Sequence, residues 1–324
     1  MGVLLELEQL SVNFPSETGL LTAVSGVNLT LEAAAITCLV GESGCGKSLT
    51  CRAILRLLPE RCVPGGSAIF DGINLFNISE REMRSIRGKS IGMIFQEPMT
   101  SLNPVLKVGE QAAEPLRAHL GMGKREAREK VCELFAQVGI PSPDERYDDY
   151  PHQLSGGMRQ RVMIAMALGC GPRLLLADEP TTALDATIQG QILRLISHES
   201  RERGMAVLLI THDLGVVAET ADYVGVMYAG LLVEKAPIDE IFENPLHPYT
   251  KGLMRAAPTR ASIGLKRLPT IPGTVPKPGN RPPGCPFQPR CPDALPICAR
   301  FLAPHCVENG HHVSCWLYAK NSGG

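Results

Sequence analysis

Near its start the chain alternates apolar and polar positions, Val3-Leu4-Leu5-Glu6-Leu7, and this period of two predicts a half-buried strand. Four later stretches are nearly continuous in apolar residues: Ile36–Val40, Ile91–Phe95, Leu174–Ala177 and Ala206–Ile210. Short runs of that kind suit strands covered on both faces, as in a parallel sheet. Between Phe95 and Leu174 the period changes. Over Lys124–Gly139 the residues Ala127, Val131, Leu134, Phe135 and Val138 recur at helical spacing and share one face. Leu49–Leu58 also reads as a helix. Three regions follow: strands and turns with one helix over 1–97, mostly helix over 98–171, and strand–helix alternation over 172–235. Together they predict an α/β domain with a helical insertion. From Pro258 the texture changes, because twelve prolines between Pro258 and Pro304 forbid long helices and sheet interiors. Such a segment stays loose or is held by something other than a core.

Composition narrows the class. A formal net charge of −1 over 324 residues gives no grip on nucleic acid, and none is expected as a partner. With 44% hydrophobic residues the chain has material for a sizeable core, which excludes disorder as its main state. No run of about 18 apolar residues lacks charges, so no spanning helix is expected. Met1-Gly-Val-Leu-Leu-Glu6 places an acid where a signal peptide needs a basic region, so the chain is expected to stay in the cytosol. Disulfides are not expected there. Yet five of the eleven cysteines, Cys285, Cys291, Cys298, Cys306 and Cys315, crowd into the last 40 residues.

The clearest chemical signal is Gly41-Glu42-Ser43-Gly44-Cys45-Gly46-Lys47-Ser48, which fits G-x-x-x-x-G-K-[ST] at every fixed position. A predicted strand precedes it and a helix beginning near Leu49 follows. Glycines let backbone N–H groups turn inward around phosphates, and the helix N-terminus adds its positive end. Lys47 is expected to bridge the terminal phosphates of ATP and Ser48 to ligate Mg²⁺. A second element, Leu174-Leu-Leu-Ala-Asp178-Glu179, reads as a buried strand ending in two acids at a ligand-binding edge. Asp178 suits Mg²⁺ binding, directly or through water, and Glu179 suits polarising the attacking water.

A phosphate loop fixes the nucleotide and leaves the task open. Ahead of Asp178 lies Leu154-Ser155-Gly156-Gly157-Met158, a serine and two glycines opening a helix, which makes another anion-binding terminus. This string resembles the signature loop of ABC ATPases, with Met158 where Gln is commonest. The other landmarks of that family are matched in order. Gln96, after the strand Ile91–Phe95, resembles the glutamine that contacts Mg²⁺ and water. Ala183-Leu184-Asp185 resembles the D-loop, and His212, after the strand Val207–Ile210, the switch histidine. Phe14 stands where the family places an aromatic against adenine, although a core or surface phenylalanine would read the same way. The resemblance covers about residues 1–255 and implies the P-loop NTPase fold of an ABC nucleotide-binding domain. The domain is expected over 1–257, with a helical subdomain about 98–171 and a Pro/Cys-rich extension over 258–324. Two departures stand out. Ala33-Ala34-Ala35 replaces the Gly-Glu common in the turn before the phosphate-loop strand. Cys45 replaces the usual Ser and is expected to make the site sensitive to thiol reagents.

Phe95-Gln-Glu-Pro-Met-Thr-Ser-Leu-Asn-Pro104 and Asn244-Pro-Leu-His-Pro-Tyr-Thr250 resemble the ATPase subunits of peptide and nickel importers. Ser155-Gly-Gly-Met-Arg-Gln-Arg161 resembles the D-type subunit of the dipeptide/oligopeptide group. The resemblance implies a homologous second ATPase, two transmembrane permeases and, indirectly, an extracytoplasmic substrate-binding protein. It also implies a peripheral position on the cytoplasmic face of the cell membrane, with the helical insertion docking the permeases. Glu179, His212, Lys47 and Gln96 are then the catalytic set. Gly41 to Leu49, with Phe14, Gln96, Asp178, Asp185 and His212, would bind the nucleotide. Ser155, Gly156, Gly157 and Met158 would serve the nucleotide held on the partner. Di- or oligopeptides are the expected cargo, with nickel complexes, glutathione or antimicrobial peptides as alternatives. A soluble ABC ATPase without a permease is the contrasting class.

Gly284-Cys-Pro-Phe-Gln-Pro-Arg-Cys-Pro292 resembles the importers' C-terminal extension, in which four cysteines hold an iron–sulfur cluster. Cys285, Cys291, Cys298 and Cys315, with 5, 6 and 16 intervening residues, are the ligands this implies for a [4Fe–4S] cluster. Cys306 is left out of the set. Zn²⁺, with His311 or His312 in place of a thiolate, and reduced free thiols remain open. A bound metal would help order a segment with little apolar core of its own. A structural role is expected for it, with sensing of iron or oxidants as the alternative.

Overall fold

A computed structural model describes residues 2–16, 19–97, 101–182, 184–257, 269–308 and 310–319. Ala183 of the expected D-loop, Pro98-Met-Thr100 and the start of the extension, 258–268, lie outside the described residues. The chain divides into two compact units, each assembled from several stretches. One comprises Met1–Leu5, Leu31–Ile36 and Asn77–Ile210, the other Glu6–Thr30, Thr37–Phe76 and Thr211–Gly324. The stretch Thr211–Gly324, which includes the extension, belongs to the same unit as the phosphate loop.

In the first unit Ile91–Ile94, Leu174–Asp178 and Ala206–Ile210 run parallel, with Ile91 opposite Leu174 and Leu174 opposite Ala206. Every residue of the latter two strands is buried, the environment that selects continuous apolar runs. Helices Val108–Leu120, Lys124–Gln137 and Gly156–Gly169 pack together in this unit and bury Leu116, Val131, Phe135 and Leu168. Lys124–Gln137 buries Ala127, Val131, Leu134 and Phe135, and Val138 is buried at its C-cap, so the helical spacing marks the packed face.

The second unit holds a ladder in which Ile36–Val40 runs parallel to Tyr223–Tyr228, Thr37 facing Tyr223. Leu231–Pro237 pairs antiparallel with Tyr223–Tyr228. Two short strands of the extension, His311–Val313 and Cys306–Glu308, continue the ladder beyond it. They lie past Pro304, where no proline removes an N–H donor. The extension also inserts Phe287, 2% exposed, among Tyr228, Tyr249 and His247. Lacking a core of its own, it joins one that already exists. Among the described residues no helix is long and apolar enough to cross a membrane.

Three local details differ from expectation. Among the described residues of 1–97 there are two α-helices, not one: Lys47–Ile54 and Glu80–Ile86. The second is started by a capping box, in which the Glu82 N–H donates to Ser79 Oγ and the Ser79 N–H donates to the Glu82 carboxylate. The helix after the phosphate loop ends at Ile54 rather than Leu58, because Arg56 takes a φ of 54°. In the turn before Ile36, Ala34 has a φ of 60°, a left-handed conformation that its Cβ opposes. Ala34→Gly is therefore expected to stabilise the protein by about 0.5 kcal/mol, the relieved strain exceeding the added freedom of the unfolded chain. A rise in the denaturant midpoint at constant slope checks this, and an unchanged or lower midpoint contradicts it.

Candidate functional site

The strand Ile36–Val40 delivers the chain to Gly41, and the helix Lys47–Ile54 carries it away from Gly46. Gly41 has a φ of 146°, and a Cβ there would lie 2.2 Å from the Met227 carbonyl oxygen, so the loop admits only glycine at this point. Gly46 caps the helix with a φ of 98°. Lys47 is 7% exposed, and its Nζ donates to the carbonyls of Gly41 (2.7 Å) and Glu42 (3.0 Å). The ammonium thus lies within the curve of the loop, beside Ser43 and Gly44, which are exposed. Cys45 corrects the expectation of thiol sensitivity. It is 1% exposed, and burial raises its pKa, so neither access nor thiolate favours alkylation.

The same unit carries Phe14, half-buried on the strand Val3–Ser16, and His212, exposed just after Thr211. Asp213 follows and accepts from the Gly215 and Val216 N–H groups, capping the helix Leu214–Thr220 and fixing the turn that presents His212.

The remaining predicted residues belong to the first unit. Gln96 is exposed beyond the strand Ile91–Ile94. Asp178 is fully buried at the end of its strand, and Glu179 follows with a φ of 48°. Left-handed backbone at a non-glycine residue is costly and collects at functional positions. The Glu179 N–H donates to the Ile210 carbonyl (3.0 Å), and the Thr182 hydroxyl donates to Glu179 Oε2 (3.0 Å), which orients the carboxylate. Ser155 caps the helix Gly156–Gly169 by accepting from the Met158 N–H at 3.3 Å. Gln160 on that helix is buried, and its Nε2 donates to the Pro180 carbonyl at 2.7 Å, which ties the helix to the loop after Glu179. Asp185 accepts from the Ile188 N–H at 3.0 Å and caps the helix Ala186–Arg203. The predicted residues therefore form two sets, one in each unit.

In the extension, Cys285, Cys291, Cys298 and Cys315 line one enclosed cavity of about 10 Å³, with Phe287 and Trp316. The Cys285 N–H donates to the Cys298 carbonyl at 2.7 Å, which draws two of them together. Burial raises the pKa of Cys285 and Cys291, and pushes Cys315 to about 11. Among the described residues, however, no three His, Cys, Asp or Glu side chains stand close enough to hold a metal ion. The expected [4Fe–4S] ligand set is thus gathered in one place but does not close on a centre. The histidine alternative is corrected as well. His311 Nε2 lies 2.7 Å from Glu234 Oε1, and His312 Nδ1 lies 3.3 Å from His305 Nε2. Neither lines the cysteine cavity.

Two residues that lie in the importer-like strings, with no role expected of them there, hold the phosphate loop from the extension and its approach. The Tyr249 hydroxyl accepts from the Glu42 N–H at 2.8 Å, and Arg290 pairs with the Glu42 carboxylate.

The profile described as ABC transporter matches residues 24–182, and that described as oligopeptide/dipeptide transporter, C-terminal region, matches residues 233–298. Among solved structures, the ATP-binding cassette MJ0796, a dimer in a post-hydrolysis state bound to ADP and Pi, is 28% identical with a TM-score of 0.67. It covers 72% of this chain and 98% of its own. The fold and phosphate loop are thus those of an ATP-binding cassette. A probable peptide ABC transporter ATP-binding protein of Sinorhizobium fredii is 50% identical, over 97% of this chain and 95% of its own. The dipeptide transport ATP-binding protein DppD of Bacillus subtilis is 48% identical, over 98% and 95%. The chain belongs to the ABC transporter ATP-binding proteins, in the peptide transport group.

Proposed function

We propose that this chain is the ATP-hydrolysing subunit of an importer for di- and oligopeptides. It would act peripherally at the cytoplasmic face of the cell membrane, beneath two permeases fed by an extracytoplasmic binding protein. The observation that carries this reading is one chain holding both a complete phosphate loop, with Lys47 inside its curve, and a C-terminal region matched by the peptide transporters. Nickel complexes, glutathione and antimicrobial peptides remain alternative cargoes.

In this reading the loop N–H groups and Lys47 hold the phosphates, and Phe14 stacks on adenine. Glu179 orients or polarises the attacking water, and His212 stabilises the γ-phosphate in the transition state. The Ser48 hydroxyl, the Gln96 amide oxygen and the Asp178 carboxylate are each hard oxygen donors of the kind Mg²⁺ takes, and the ion when bound would neutralise charge on the phosphates. Ser155 to Met158 complete the nucleotide site of a homologous partner ATPase, whose own signature loop completes this one. Closure of the two subunits on ATP drives the permeases. A [4Fe–4S] cluster or Zn²⁺ in the extension is proposed from the resemblance of its cysteines to those of the importers' extension. As placed, Cys285, Cys291, Cys298 and Cys315 share one small cavity without three of them standing close enough to hold an ion.

Anaerobic purification with identification of co-purifying chains and metal analysis tests this assignment. Two permeases and a second ATPase are expected, with about four iron per chain. A permease-free protein would overturn the transport role. Absence of iron and zinc would remove the metal and leave transport standing.

A further inference from the structure

Residues 42 and 290 are 248 positions apart, yet the Arg290 guanidinium is 5% exposed and forks onto the Glu42 carboxylate. Nη1 donates to Oε2 at 2.7 Å and Nη2 to Oε1 at 3.0 Å. Its other donors are also used. Nη1 reaches the Tyr228 hydroxyl (3.3 Å), Nη2 the Ile271 carbonyl (3.2 Å) and Nε the Pro272 carbonyl (2.7 Å). This two-point geometry is specific to arginine. Arg290 ends the short turn Gln288–Arg290 between two cysteines of the cavity. There the Gln288 N–H donates to the Cys285 carbonyl and the Cys291 N–H to the Gln288 carbonyl. A second arginine works from the same segment. Arg281 Nη2 donates to the Ala23 carbonyl at 2.7 Å, beside Gly46 and Gly230, and the Gly230 N–H donates to the Cys45 carbonyl. The extension thus bonds the phosphate loop directly at Glu42 and, through Arg281, holds a backbone carbonyl that lies near Gly46.

Glu42 is the point where this grip meets chemistry. Its carbonyl accepts from Lys47 Nζ, and without Arg290 its carboxylate would remain on the phosphate loop as an uncompensated charge of the same sign as a triphosphate. We propose that Arg290 is a positioning residue for the phosphate loop, tying the cysteine-bearing turn to Glu42 so that an intact extension sets the affinity for nucleotide. The proposal rests on ATP binding at this loop, as assigned above.

The test is titration of the purified full chain with a fluorescent ribose-labelled ATP in the presence of Mg²⁺, alongside turnover of the assembled complex. Arg290→Ala is expected to weaken binding about tenfold, with kcat at saturating ATP within about twofold of the parent and KM raised. In the Arg290→Ala/Glu42→Gln pair the losses are not additive: binding is no weaker than in Arg290→Ala alone, because the exposed carboxylate is gone. Arg290→Lys recovers only part of the affinity. Full affinity in Arg290→Ala, additive losses, or a fall in kcat and melting temperature matching the fall in affinity would each overturn the proposal. Failure of the parent chain to bind the nucleotide would instead overturn the assignment of the loop.

Discussion

Replacing Glu179 with glutamine is expected to lower ATP turnover by about 10³-fold while leaving ATP bound. The substitution preserves side-chain volume and keeps an oxygen to accept from the Thr182 hydroxyl, which now meets Glu179 Oε2 at 3.0 Å. It removes the negative charge that is proposed to polarise water. The backbone gives a reason to expect a large effect without a folding defect. Glu179 is held at a φ of 48° by its own N–H bond to the Ile210 carbonyl, a restraint indifferent to the side-chain charge. Turnover is to be measured in a complex whose partner site is also disabled, so that the second ATPase does not mask the loss. Retained nucleotide with negligible hydrolysis supports the role. Substantial remaining hydrolysis removes it.

Lys47→Ala carries the second large effect, at the binding step. The ammonium is buried and donates to two carbonyls of its own loop, so it is pre-placed at the position proposed for the phosphate oxygens. Its loss is expected to weaken ATP binding about a hundredfold or more, since charge-assisted bonds to phosphate are removed from a largely buried position. The measurement is direct titration with ATP, accompanied by an unfolding curve. Parent-like affinity would contradict the placement of the nucleotide. A binding loss with an unchanged midpoint separates ligand contact from folding.

What could be read from the chain follows the range of the forces involved. The strand–loop–helix unit around Gly41–Ser48 and the acid-ended strand Leu174–Asp178 are local patterns, and both are found in place. The helix Glu80–Ile86 was legible in principle, since Ser79 and Glu82 form a capping box at the expected spacing. Its single buried residue, Met83, leaves almost no hydrophobic period. The strands Cys306–Glu308 and His311–Val313 are three residues each, too short for alternation to register; His311–Val313 forms on the edge of Leu231–Pro237, and Cys306–Glu308 pairs with it in turn.

Long-range side-chain partners left no trace in the sequence. Arg290 lies in the string Gly284–Pro292, whose resemblance concerns its cysteines, and only the fold brings it to Glu42. His311 sits in the neighbourhood expected of a zinc ligand, yet its partner is Glu234, a carboxylate 1% exposed that also accepts from the Leu246 and His247 N–H groups. Cys45 lies between two loop glycines, yet packing beneath the loop buries it.

The central claim, that this chain energises peptide import, is tested most directly by uptake. A labelled dipeptide would be offered, with its binding protein, to vesicles containing both permeases, the partner ATPase and this chain, with ATP on the cytoplasmic side. The account predicts ATP-dependent accumulation that is lost when this chain carries Glu179→Gln and when it is omitted. Accumulation that proceeds equally without it, or an assembly that hydrolyses ATP but moves no peptide, would contradict the account.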